Sequence, residues 1–452
     1  MWKKFKFFAG LLAASGGCVS SGLAQEFVAA LPAAPEGTAA EPQVLSVEAL
    51  VARVRSATPE ALVQRESVRR ALERSYQRRA ELLPQFALRA EQTRQQLGSG
   101  FAGDTLRAPP FNSFTARVEG SLKVIDTQAY ADWRLAQLEH AITEMDYEVA
   151  VQDIMEQALL IYFTHLRDLR RIEIVEGNID RYRELLRLAS EQFEAGTAVK
   201  IDVTRAEVRL ATERRELMEA RTAAESSILE LKALLDIPVE SELLLDRSII
   251  EGIKAPPSLK RYGGMAPLTE VRPELKSRQR VLDQAILARK AAGWQRLPTV
   301  ELFANWGYDS GEPFDDREGE AWLLGVRASI PIFEGFRISA EKREADAAIR
   351  QNEYQLRDLR NRIEREFRTA LIEMDSRYEQ IEIARDEIRL GRLEVEQASE
   401  RYREGLADNR ELIDAQQRLS DAESSQLRSI YLYGLGRLSF ARSIGATERV
   451  LE

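Results

Sequence analysis

The sequence predicts a mainly α protein with a small transmembrane β part. It is written as two tandem repeats, each a β-hairpin followed by long coiled-coil helices. Three observations carry this. Landmarks recur: Leu83-Pro84 returns as Leu297-Pro298, and Phe193-Glu194-Ala195-Gly196 returns as Tyr402-Arg403-Glu404-Gly405. Apolar positions step by three and four through Ile172, Val175, Ile179, Tyr182, Leu186, Ala189 and Phe193. They do so again, 209 residues later, through Ile381, Ala384, Ile388, Gly391, Val395, Ala398 and Tyr402. That alternation is a coiled-coil seam. Finally, each repeat holds two segments of about ten residues that alternate apolar and polar, the length of a tilted membrane strand. A duplicated unit buries its face against a copy of itself, which excludes most enzyme folds.

In chain order, residues 1–24 read as an export signal. Trp2-Lys3-Lys4-Phe5-Lys6 is a positive start and Phe7 to Ala14 a short apolar core. The run is too short for a membrane span, which disfavours a buried N-terminal helix. Two processing sites compete. Gly22-Leu23-Ala24 precedes Gln25 as an ordinary cleavage site. Ser15-Gly16-Gly17-Cys18 resembles a lipoprotein box, with the signal ending at 17 and Cys18 the lipidation candidate; the only cysteine falling there favours this one.

Residues 25–45 are a linker rich in Ala, Pro, Glu and Gly. Repeat one spans 46–236. A short helix starts at Ser46, and Thr58-Pro59-Glu60 supplies an N-cap, a first-turn proline and an acidic first turn for a second helix. That helix is expected to reach Leu82, where Leu83-Pro84 ends it. Strands follow at about 85–95 and 113–124, joined by a loop over 98–112. Long helices are expected over about 128–194 and 202–235, the first on the order of 100 Å at about 1.5 Å per residue. An inter-repeat segment covers 237–271. Repeat two spans 272–445, with strands near 298–309 and 320–332 and helices near 336–403 and 411–444. A tail covers 446–452. Trp306, Tyr308 and Trp322 lie towards the loop end of the second hairpin, where an aromatic belt would meet headgroups. The competing reading is a pair of hairpins packed on a soluble core.

Composition narrows the function. The chain has 452 residues, 30% of them charged, and a net charge of −9. No polybasic stretch follows the first few residues, so nucleic acid is not an expected partner. No apolar run of 18 or more residues follows the signal, so membrane crossing must use β-strands. Four strands cannot close a barrel; two chains would give eight and three would give twelve. His140 and His165 show no metal-ligand or nucleophile spacing. No phosphate loop is visible, and neither cofactor nor enzyme activity is expected.

The pattern resembles the outer-membrane efflux proteins, the TolC-like channel family, from about Ser46 to Gly445. The residues that carry this are Leu83-Pro84, Leu297-Pro298 and Ile330-Pro331-Ile332-Phe333-Glu334-Gly335, with two helix-break motifs. One is Phe193-x-x-Gly196 with Asp202-Val203-x-x-Ala206; the other is Tyr402-x-x-Gly405 with Leu412-Ile413-Asp414-Ala415-Gln416. Copy one departs from the closing motif with Val124-Ile125-Asp126-Thr127. The resemblance implies a homotrimer with a 12-stranded barrel in outer-membrane lipid and an α-helical tunnel across the periplasm. It implies docking to a periplasmic adaptor (membrane fusion) protein and an inner-membrane pump of RND or ABC type. The protein would then be a passive exit duct for efflux or type I secretion. The alternative is a non-channel periplasmic coiled-coil adaptor or scaffold. The resemblance also places Phe193, Gly196, Tyr402 and Gly405 at the periplasmic tips that meet the adaptor. Glu411 and Asp414, three residues apart, share a helix face. With Asp202 at the corresponding place in copy one they are candidate aperture carboxylates, where clustered charge would favour cations. A solvated face paired with Arg410 or Arg418 is the plainer alternative.

Overall fold

The structure, a computed structural model, describes residues 43–96, 98–101, 104–107, 109–248, 253, 255–256, 272–311 and 319–449. The signal sequence with Cys18, nearly all of the N-terminal linker, most of the inter-repeat segment and the end of the tail lie outside them. The described residues fall into two units, 43–44 with 240–244 in one and the remainder in the other.

In chain order the elements are β1 (Gln43–Leu45), α1 (Val47–Ala57), α2 (Pro59–Ala80), β2 (Gln85–Gln95), β3 (Gly98–Phe101) and β4 (Asp104–Arg107). Then come β5 (Phe111–Ile125), α3 (Thr127–Glu194), α4 (Lys200–Leu234), β6 (Leu243–Leu245), α5 (Pro273–Trp294) and β7 (Thr299–Ser310). The last are β8 (Gly319–Ser329), α6 (Arg337–Arg403) and α7 (Asn409–Ser443), followed by a short 3-10 turn. None of the described helices is long and apolar enough to cross a membrane.

Several expectations are corrected. The loop expected over 98–112 holds the small β3–β4 hairpin, and the return strand begins at Phe111. The last strand stops at Ser329, not 332, because Pro331 has no N–H to continue a ladder. Thr58 does not cap α2 with its side chain; its hydroxyl donates back to Val54 O at 2.7 Å. That helix ends at Ala80, two residues early, and α4 and α7 each start two residues sooner than expected. Phe193, placed on the seam, is 43% exposed, whereas Tyr402, its counterpart in copy two, is buried.

Strands β2, β5, β7 and β8 form one antiparallel sheet in that order. Register puts Leu88, Val118, Trp306 and Trp322 in one row and Phe86, Gly120, Ala304 and Leu324 in another. The apolar halves of all four alternations therefore share one face. It is bare: Phe86 is 78% and Trp322 73% exposed. The opposite face carries ion pairs, Arg89 to Glu119, Arg117 to Asp309 at 2.6 Å, and Arg327 to Glu301. Phe303, the one large apolar residue of β7 on that face, lies over Gly325 with the Arg327 guanidinium 4.8 Å above its ring.

The copies enter their long helices differently. Asp126 caps α3, its carboxylate accepting from Gln128 N and Ala129 N at 3.0 Å each. That accounts for the departure at 124–127. Copy two turns through Gly335 and Phe336, both left-handed, with no side-chain cap.

The long helices pack α4 on α3, α3 on α7 and α7 on α6. One core cluster joins all four through Val175, Tyr182, Leu210, Ala398, Tyr402 and Ile413. A polar network crosses it. Asn178 donates to Glu213 at 3.0 Å and Ser420 at 2.8 Å, and Arg181 reaches both Asn178 and Glu423. His165 is also buried, its Nδ1 3.0 Å from Ala224 O and Ser227 Oγ, and burial lowers its pKa. Farther up, buried Arg272, just before α5, bonds Glu274 and Glu366, while Arg442 of α7 bonds Glu274 and Asp153. Burial alone would raise the Glu274 pKa; the two arginines overrule it and hold it low.

Candidate functional site: the helix tips

Each long helix pair turns at a glycine. Gly196 has φ +75° and Gly405 φ +73°. Gly196 N donates to Phe193 O and Thr197 N to Gln192 O; Gly405 N donates to Tyr402 O and Leu406 N to Arg401 O. These are two copies of one Schellman motif, which needs a left-handed residue after the cap. Space is open where a Cβ would stand at either glycine.

The two tips are held side by side. Gln192 Nε2 donates to Tyr402 O at 3.2 Å, and Asn409 Nδ2 donates to Asp202 O at 2.8 Å. Asn409 is fully buried and its Oδ1 has no partner. The Tyr402 ring is buried with its hydroxyl unpartnered; burial, and then the nearby Asp202 charge, raise its pKa. Outside, Phe193, Val199, Ile201 and Leu406 leave apolar surface in water. The tips thus combine a rigid turn with an apolar rim, which suits a partner surface.

The three carboxylates lie in the first turns after the glycines, and the Asn409 bond brings Asp202 beside the start of α7. Their surroundings differ. Asp202 is tucked in, its side chain 13% exposed and 3.1 Å from Arg205. Glu411 pairs with Arg401 at 2.9 Å across the turn. Asp414 is exposed, and among the described residues it has no hydrogen bond or ion pair. Arg418, a partner weighed for it, goes to Glu394 at 2.5 Å, although it still feels the Asp414 charge.

Sequence reasoning missed Asp408, Asn409 and Gln192. Asp408 caps α7, its carboxylate accepting from Glu411 N at 3.1 Å; the Asp-x-x-Glu spacing of a capping box signals it. Asn409 and Gln192 act across chain separations of 207 and 210 residues, and no local pattern marks them. Among the described residues no group of His, Cys, Asp and Glu could hold a metal ion.

The fold is shared with known proteins. The alkaline protease secretion protein AprF of Pseudomonas aeruginosa is 24% identical over 352 residues, covering 75% of this chain and 71% of its own. The pyoverdine export outer membrane protein OpmQ of the same organism is 22% identical over 395 residues, covering 84% and 78%. Among solved structures, the outer-membrane channel OprN superposes with a TM-score of 0.76 at 20% identity, covering 88% of this chain and 90% of that one. The open state of the Neisseria gonorrhoeae MtrE channel gives 0.75 at 15% identity, covering 89% of each. The sequence profile described as "Outer membrane efflux protein" matches residues 50–236 and 268–435, so this chain belongs to the outer membrane efflux protein family.

Proposed function

We propose that three copies of this chain form a passive exit duct, the outer-membrane component of a tripartite efflux or type I secretion system. One observation carries this reading: a four-stranded sheet with a bare apolar face and two open edges, β2 and β8, on a chain with four long helices. Open edges are not tolerated in lipid, so other chains must pair them, and three such sheets give the twelve strands of the family's barrel. The apolar face meets outer-membrane lipid and the ion-paired face lines the pore. The helices continue the duct into the periplasm, and the tips meet a periplasmic adaptor beside an inner-membrane pump. No covalent chemistry is assigned to the chain; the pump selects the cargo. A free-standing coiled-coil scaffold would not need that apolar face.

Purified protein should be a detergent-requiring trimer that conducts ions in planar bilayers. A water-soluble monomer in detergent-free buffer would sink the reading. We also propose that Cys18 carries a lipid. Cys18→Ser should then abolish acyl labelling, and an unmodified Gln25 N-terminus in the unaltered protein would remove the anchor.

A further inference from the structure

The ion-paired face of the sheet balances its charges. Its three cross-strand pairs set three cations against three acids, and Lys123 and Glu91 add one of each. A wall without net charge recruits neither anions nor cations. Where all four strands pair, the other side chains on this face are small or polar, with two exceptions. Those are Phe303 of β7 and Leu323 of β8.

The two exceptions are neighbours. Phe303 pairs with Gly325, and Leu323 stands two residues along β8 from that glycine. They form a diagonal pair about 7 Å apart on one face. The Phe303 ring lies in the space that Gly325 leaves, and the Arg327 guanidinium carbon stands 4.8 Å from the ring centre. Covering Gly325 accounts for Phe303. It does not account for Leu323, which is 51% exposed beside it. The Arg327 side chain is 64% exposed, so a flat cation borders the same spot.

We propose that Phe303, Leu323 and Arg327 form a contact step inside the barrel for small molecules that carry an aromatic ring. The arene packs on Leu323 and the edge of Phe303, and the Arg327 plane offers it a stacking surface. Because the wall is neutral, the ring and not the charge of the cargo is what the step feels. The assignment rests on the duct reading, with the ion-paired face towards the pore. Three copies then place three such steps at one level. One ring contact of this kind is worth about two- to tenfold in affinity. That is weak enough for cargo to leave, as conduction requires.

Single-channel recordings in planar bilayers test it, with naphthalenesulfonate and methanesulfonate added on the barrel side. Both probes are monovalent anions, and only one has a ring. Naphthalenesulfonate should lower the conductance of the unaltered channel at a concentration about two- to tenfold below that needed for Phe303→Leu/Leu323→Ser. Methanesulfonate should treat both proteins alike. Leu323→Ser by itself leaves the ring over Gly325 and should remove part of the preference. Leu324→Ala, on the opposite face, should leave it unchanged. Channels in which the double variant and the unaltered protein respond alike to naphthalenesulfonate overturn the step and leave the duct standing. A preference lost in Leu324→Ala and kept in Leu323→Ser overturns the step as well, by putting the wrong face in the pore. An unaltered protein that forms no conducting channel overturns the duct reading itself.

Discussion

Gly196 and Gly405 show how much one backbone angle decides. Each has open space where a Cβ would stand, so crowding is not the constraint; φ near +75° is. A side chain there costs on the order of 1 kcal/mol in the left-handed region. Gly405→Ala should fray the tip while export continues, because it adds little surface. Gly405→Trp sets a large group on the open face that we propose docks the adaptor. It should abolish export with trimer and membrane insertion intact; normal export at normal abundance would take the tip out of the docking surface. Glu213 is a second case. Burial raises its pKa, against the lowering effect of the Asn178 bond. The folded state therefore holds its proton more tightly than the unfolded state. Stability is present at low pH and is lost as pH rises through the folded value. Glu213→Gln keeps an acceptor for Asn178 without the buried charge. It should raise the unfolding temperature at pH 7 and lose that advantage as pH falls to the ordinary carboxylate range. An equal shift at both pH values would mean that the carboxylate is not strained by burial.

At the scale of elements, the sheet is specified by two glycines of unequal rigidity. A Cβ on Gly307 would lie 2.0 Å from Ala116 O and 2.6 Å from Arg117 Cα, both backbone atoms of the paired strand. A Cβ on Gly325 would lie 2.5 Å from Phe303 Cζ, the end of a ring that can swing away. Gly307→Ala should therefore separate β5 from β7 and strongly reduce heat-resistant trimer in the outer membrane. Gly325→Ala should cost far less; equal losses would refute the argument. The strands and helix ends were legible because alternation, the three-four step, proline and glycine are local signals. Both tip glycines were read this way, and so was the apolar face of the sheet. What stayed hidden joins residues hundreds apart: Asn409 to Asp202, Gln192 to Tyr402, and Arg442 to Asp153. Asn178 and Glu213 occupy core positions of α3 and α4. A polar residue inside an apolar seam is a visible flag, but its partners on α7 are not visible in the sequence.

For the whole molecule, the aperture depends on what three chains bring to one axis. The sequence offered Glu411 and Asp414 in each chain, with Asp202 at the corresponding place in copy one, and their surroundings separate them further. Arg205 holds Asp202 and Arg401 holds Glu411, so each presents a largely neutralised pair. Asp414 alone is exposed without a hydrogen bond or ion pair among the described residues. In a trimer whose tunnel narrows at the tips, three Asp414 carboxylates would supply most of the uncompensated charge. Their repulsion would act over a screening length of about 8 Å at physiological salt. Asp414→Ala should then remove most of the cation preference and most of the block by multivalent cations in single-channel recordings. Glu411→Ala should change selectivity less, and by freeing Arg401 it should move it in the same direction. Trimer yield should hold in both, since both changes lie at the helix tips and leave the sheet edges β2 and β8 untouched. Selectivity unchanged by Asp414→Ala would place that carboxylate on a solvated outer face, and an effect confined to Glu411→Ala would mean the Arg401 pair opens in the assembled duct.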